Sequence, residues 1–128
     1  LIDWSVNTNH QLKPIAAVKC SYKGEIMEFA SSGDGGYDAF MNSIRQILKS
    51  FSIKIPKLVD YMVTIPPGGK TDALVQASIS WEITESSRTR IIVTRGVNSD
   101  QLTAAIQATI KMINMLVTKE MKDKKENK

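Results

Sequence analysis

Along this chain the apolar positions change period twice, in the same order each time. Trp4 and Val6, then Val18, Cys20 and Tyr22, alternate with polar residues, the two-residue period of a strand with one buried face. In DAFMNSIRQIL (38–48), Phe40, Ile44 and Leu48 recur at a spacing of four, the stripe of an amphipathic helix. Alternation returns with Tyr61, Val63 and Ile65 and with Ile79, Trp81 and Ile83, then yields to a second helical stripe through Leu102, Ile106 and Ile110. The pattern predicts strands over 2–8, 14–22 and 25–31 and a helix over 37–50. It then predicts strands over 58–65, 73–84 and 88–95 and a helix over 99–118.

The halves also match residue by residue. DWSVNTNHQLKPIAAV aligns with DYMVTIPPGGKTDALV, placing Asp3 on Asp60, Trp4 on Tyr61, Val6 on Val63, Lys13 on Lys70 and Val18 on Val75. DAFMNSIRQIL aligns with DQLTAAIQATI in the same way. Part of this is what any alternating strand would show; the shared Asp-aromatic-x-Val start is not. Between the matched blocks, the second copy is expected to carry a longer hairpin, EITESSRTR against YKGE. The expected fold is therefore α+β, with two pseudo-symmetric βββα units (2–50 and 58–118) whose antiparallel sheets each bury one face against helices. Pro56, in the linker 51–57, favours extended backbone before it.

The second helix is apolar over a wide arc, including Leu102, Ile106, Ile110, Ile113, Met115, Leu116 and Val117. Ala104, Ala105 and Ala108 would let a partner approach closely. So broad an apolar surface predicts a homodimer. Residues 119–128 are expected to form a charged flexible tail.

Composition narrows the function. The chain has 128 residues, 42% of them hydrophobic, enough for one domain with a modest core. No apolar run is long enough to cross a membrane and no signal peptide is recognisable, so no membrane partner is expected. The chain starts at Leu1 rather than Met, which predicts a piece of a longer protein. Its net charge of +4 is half concentrated in KEMKDKKENK, and no basic stripe with interleaved aromatics occurs elsewhere, so no nucleic-acid partner is expected.

No catalytic set assembles. Cys20 is the single cysteine and reads as a buried strand residue; it excludes an intramolecular disulfide or a cysteine-cluster metal site. His10 is the single histidine, in the polar stretch NTNHQ. Asp34, Asp38, Asp60, Asp72 and Asp100 stand beside turns or helix starts, where aspartate has structural work. Neither catalytic residues, a metal nor a cofactor is expected of this chain.

SSGDGGYDAF (31–40) carries three glycines into the first helix. It lacks the Gly-Lys-Ser/Thr of a phosphate loop, and short hairpins here replace the parallel unit that a dinucleotide fingerprint needs. It reads either as a turn or as an anion-receiving helix entrance. TRGVNSD stands at the matching place in the second copy, with Asn98 as expected N-cap and Gln101 as its reciprocal partner, hinting at a shared ligand zone. IPPGGKTDAL (65–74) reads as a hairpin connection.

LVDYMV, GGKTDALVQASISW, RGVNSD and TAAIQATIKMIN together resemble the C-terminal regulatory domain of the α-isopropylmalate synthase and citramalate synthase family, and GDGGYDAFMNSIRQIL resembles its first helix entrance. The likeness covers residues 2–116. It implies a cytoplasmic dimerisation and feedback domain. The parent enzyme's barrel, with its divalent metal and acetyl-CoA, would lie upstream. Such enzymes condense acetyl-CoA with a 2-oxo acid and are inhibited by leucine or isoleucine bound near the dimer interface and helix entrances. Here GGYDA stands where leucine-sensing relatives often carry GPVDA, and the likeness leans toward citramalate synthase with isoleucine as effector. Leucine, or a dimerisation module without a ligand, are the alternatives.

On this resemblance Asp38 would pair with the effector's ammonium and the N–H groups around Gly35 and Gly36 would take its carboxylate. Tyr37, Leu58, Tyr61, Ile65 and Val75 would wall its side chain. Tyr61 and Ile65 share a strand face. Leu58 has the opposite parity and joins them only if the strand start twists or bends.

Overall fold

The computed structural model describes residues 2–9, 12–65 and 74–126. His10, Lys70, Asp72 and most of the loop IPPGGKTDAL lie outside the described residues. The chain divides into two compact units, 1–55 and 56–128, each following the order βββα.

In the first unit, β1 (Ile2–Asn9), β2 (Leu12–Tyr22) and β3 (Glu25–Ser32) form an antiparallel sheet with β2 in the centre. Ala16, Val18 and Cys20 alternate along β2 and are buried, as their period requires. Helix α1 (Gly36–Ser50) lies across that face, burying Phe40, Ile44, Ile47 and Leu48. Each such side chain contributes about 1.5–3 kcal/mol on leaving water. The buried Ser43 hydroxyl donates to the Ala16 carbonyl at 2.8 Å, so the one polar group on this helix stripe is satisfied.

In the second unit, β4 (Lys57–Thr64), β5 (Val75–Glu85) and β6 (Arg88–Asn98) pair antiparallel, with β5 central. Ala77, Ile79, Trp81 and Ile83 are its buried stripe. Trp81 Nε1 donates to Thr94 Oγ1 at 2.9 Å, inside that layer. Helix α2 (Gln101–Glu126) packs on β5 and β6 and leaves β4 at the sheet edge. At Gly96 a Cβ would stand 2.0 Å from the Ala104 carbonyl oxygen, so helix and strand meet where a side chain is missing.

Three expectations need correction. The second hairpin is no longer at its turn than the first. Lys23 and Gly24 link β2 to β3, and Ser86 and Ser87 link β5 to β6, each pair with positive φ. That is the backbone of a two-residue turn whose twist matches the strands. The extra residues instead lengthen β6, which has 11 residues against 8 in β3. Second, Ala104, Ala105 and Ala108 are fully buried within their own unit, where their small size brings α2 onto its own sheet. Third, α2 remains helical to Glu126, past the expected end near 118. Lysine and glutamate, which fill most of KEMKDKKE, have favourable helix propensity.

Among the described residues, no helix is long and apolar enough to cross a membrane.

Candidate functional site

The first helix entrance is built by close backbone approach. Gly33 N–H donates to the Pro14 carbonyl at 3.2 Å, and a Cβ on Gly33 would fall 2.4 Å from Ala39 N. Only glycine lets the chain leave β3 this close to α1. Gly35 is the N-cap, extended at φ −135° and ψ 173°, and supplies no side-chain cap. Its carbonyl accepts the first helical hydrogen bond, from Ala39 N–H at 2.9 Å. The N–H groups of the first helical turn point toward this entrance.

Tyr37 and Asp38 flank those groups. The Tyr37 ring is half-buried and stacks on Phe40, centroids 6.4 Å apart, and Phe40 meets Trp4 edge-on at 6.3 Å. A run of aromatics thereby fixes the ring at the entrance to the core of its unit. Asp38 is exposed, and its Oδ2 accepts from Asp34 N–H at 3.0 Å, bracing the loop. Asp34 in turn lies 3.5 Å from Lys13 Nζ, an exposed ion pair of little energetic weight.

The second entrance is different, although the sequence aligns the two. The N-cap is Asp100, not Asn98. Asp100 Oδ2 accepts from Thr103 N–H at 3.0 Å and from Thr103 Oγ1 at 2.6 Å, and Ala104 N–H reaches the Asp100 carbonyl at 3.0 Å. Asn98 Oδ1 accepts from Asp100 N–H at 2.9 Å, one step further out. The Thr103 hydroxyl, and after it the Thr103 N–H, hold the Asp100 carboxyl below its ordinary range. A carboxylate at the N-cap itself thus covers this helix start, whereas the N-cap of the first is a glycine with no side chain to do so. The two entrances are therefore capped differently.

In the second unit the candidate wall residues sit on β4 and at the start of β5. Tyr61 stands opposite Ile79 and Val63 opposite Ala77, while Leu58 stands opposite Trp81, with a register shift between Leu58 and Asp60. Ala77, Ile79 and Trp81 share the buried face of β5. Their partners therefore share it too, and the extra residue, Val59, carries Leu58 across to the side of Tyr61. This is the bend that parity demanded. Thr64 pairs with Gln76, so Ile65 and Val75 fall at the end of the same register. Because α2 does not cover β4, this face is open at its edge: Tyr61 is 36% and Ile65 68% exposed.

The structure thus brings Gly35, Gly36, Tyr37 and Asp38 together in the first unit, and Leu58, Tyr61, Ile65 and Val75 along one face of the second. Sequence reasoning missed three contributors. Val63 shares the β4 face and its alternation marks it. Gly33 is required by a distant backbone, which no local signal reveals. Asp34 braces the entrance through its backbone N–H, which donates to Asp38 and which any residue but proline would supply, so its side chain gave no signal. Cys20 is buried, and burial raises its thiol pKa, so it is not a ready nucleophile.

The fold is a duplicated βββα unit whose two helix entrances are capped differently. The chain belongs to the LeuA allosteric (dimerisation) domain family, whose sequence model matches residues 1–117. It is 32% identical to the (R)-citramalate synthase CimA of Methanocaldococcus jannaschii over 119 residues, covering 91% of this chain and 23% of that protein. It is 30% identical to the 2-isopropylmalate synthase of Aquifex aeolicus over 121 residues, covering 94% of this chain and 21% of that protein. The chain therefore spans less than a quarter of the length of these relatives.

Proposed function

We propose that this chain is the effector-binding and dimerisation domain of a citramalate synthase, and that its effector is isoleucine. The observation that carries the reading is the first helix entrance, where a glycine N-cap with no side chain of its own, an exposed carboxylate and a stacked aromatic ring stand within four residues. In this reading the N–H groups around Gly35 and Gly36 receive the amino acid's carboxylate, favoured by the helix N-terminus. Asp38 pairs with its ammonium, and the aliphatic side chain lies against Tyr37, Leu58, Tyr61, Ile65 and Val75. Occupancy would lower acetyl-CoA and pyruvate condensation in a catalytic domain outside this chain, where a divalent metal and acetyl-CoA would bind. The parent enzyme would be cytoplasmic.

Leucine binding in a 2-isopropylmalate synthase is the alternative, and the similar identity to both classes of relative supports it. The two amino acids are isomers, so selectivity comes from the shape of the wall and falls within about 1–3 kcal/mol. Calorimetric titration with isoleucine, leucine and valine separates the readings. Isoleucine binding at least several-fold tighter than leucine is expected; the reverse order moves the parent to 2-isopropylmalate synthase. Absence of heat and of thermal shift with all three rules out effector binding, and sedimentation then asks whether the chain is a ligand-indifferent dimer.

A further inference from the structure

A groove of about 450 Å³ opens in the second unit between the β5–β6 ends and the distal half of α2. Its apolar lining is Ile83, Ile92, Met115 and Leu116. A neighbouring hollow of about 580 Å³ shares Ile83, Arg90 and Lys119 with it and adds Glu85 and Arg88. These volumes lie in the range of small-ligand sites.

The charges around the groove are unusual in their placement. Arg88, Arg90 and Ile92 alternate along β6 on the face that continues into the buried Thr94 and Gly96, the face turned to α2. Across the ladder Arg90 stands opposite Ile83 and Arg88 opposite Glu85. The sheet's inner face therefore changes from apolar to cationic at the mouth of the groove. Glu85 is engaged by Lys119, which donates to its carboxylate and holds it below the ordinary range. Arg90 adds a weaker pull on the same carboxylate. Neither Arg88 nor Arg90 forms an ion pair among the described residues.

We propose that this groove binds an aliphatic carboxylate, its chain on Ile83, Ile92, Met115 and Leu116 and its head group on the Arg90 guanidinium with Arg88 beside it. A planar guanidinium takes a carboxylate through two parallel hydrogen bonds. An apolar helix from another protein fits less well, because it would desolvate both guanidiniums without supplying an acceptor. The site lies wholly in the second unit, apart from Gly35, Gly36, Tyr37 and Asp38, and does not depend on the effector reading.

The test is a methyl-resolved NMR titration of the 128-residue chain with octanoate, octanol and octylammonium. Octanoate is expected to shift the Ile83, Ile92 and Met115 methyl signals saturably. Octanol and octylammonium should bind at least about tenfold more weakly, the loss expected when a charge-assisted hydrogen bond goes unmade. Arg90→Gln should weaken octanoate by a similar factor while leaving the thermal midpoint and any isoleucine binding unchanged. Equal binding of octanoate and octanol, or no saturable shift, overturns the proposal. So does protein-concentration-dependent shifting of the same methyl signals without ligand, abolished by Met115→Lys, which would make the occupant a second copy of the chain.

Discussion

Leu58 faces Trp81 across the β4–β5 ladder, although two-residue alternation from Tyr61 places it on the opposite side. Val59 is the extra residue that reverses the parity. Leu58→Ala should therefore weaken isoleucine binding several-fold, whereas Val59→Ala, which keeps the backbone bulge, should not. Calorimetry on both variants checks this, and equal affinities would remove Leu58 from the wall.

Asp38 serves two purposes in this reading, bracing Asp34 N–H and offering charge to an ammonium. Asp38→Asn keeps an acceptor oxygen while removing the charge. The expected outcome is an unchanged thermal midpoint with effector affinity reduced at least about tenfold, the scale of a lost charge-assisted hydrogen bond. Tyr37→Ala should weaken affinity by loss of apolar wall. Unchanged binding in both variants would place the effector elsewhere.

Gly33 and Gly35 sit two residues apart and should respond very unequally to alanine. A Cβ at Gly33 meets Ala39 N at 2.4 Å, backbone that cannot rotate away, whereas at Gly35 nothing lies within 4 Å. Gly33→Ala should cost about 1–3 kcal/mol by overpacking. Gly35→Ala should cost only the modest difference between glycine and alanine as N-cap. Urea unfolding of the two variants measures the contrast.

Asp100 should make stability depend on acid. Its folded-state pKa lies below the unfolded value, so its contribution is complete above the unfolded aspartate range, near pH 3.9. The contribution is lost as pH falls through the lower folded value. At neutral pH, Asp100→Ala should cost about 1 kcal/mol through the lost cap. The gap between wild type and variant should close as the pH drops below about 4. A gap independent of pH would mean the cap works without its charge.

The elements were legible because their causes are local. Period-two runs through Val18 and Cys20, period-four spacing through Phe40 and Ile44, and the repeated Asp-aromatic-x-Val start each lie within one segment, and together they determined the βββα order in both units. The family was legible for the same reason, and with it the candidate residues on the first helix entrance. What the tertiary structure decided involves partners far apart in the chain. Val59's bulge is set by pairing with β5, Gly33 by the α1 backbone, and the alanines of α2 by the sheet beneath them. Asn98 and Asp100 are equally good caps by type; only the geometry of Thr103 chose Asp100. By sequence Arg88 and Arg90 are only part of the polar stretch EITESSRTR; β6 pairing places them on the face turned to α2. Period reports which residues face inward, but what they face is settled only when distant segments meet.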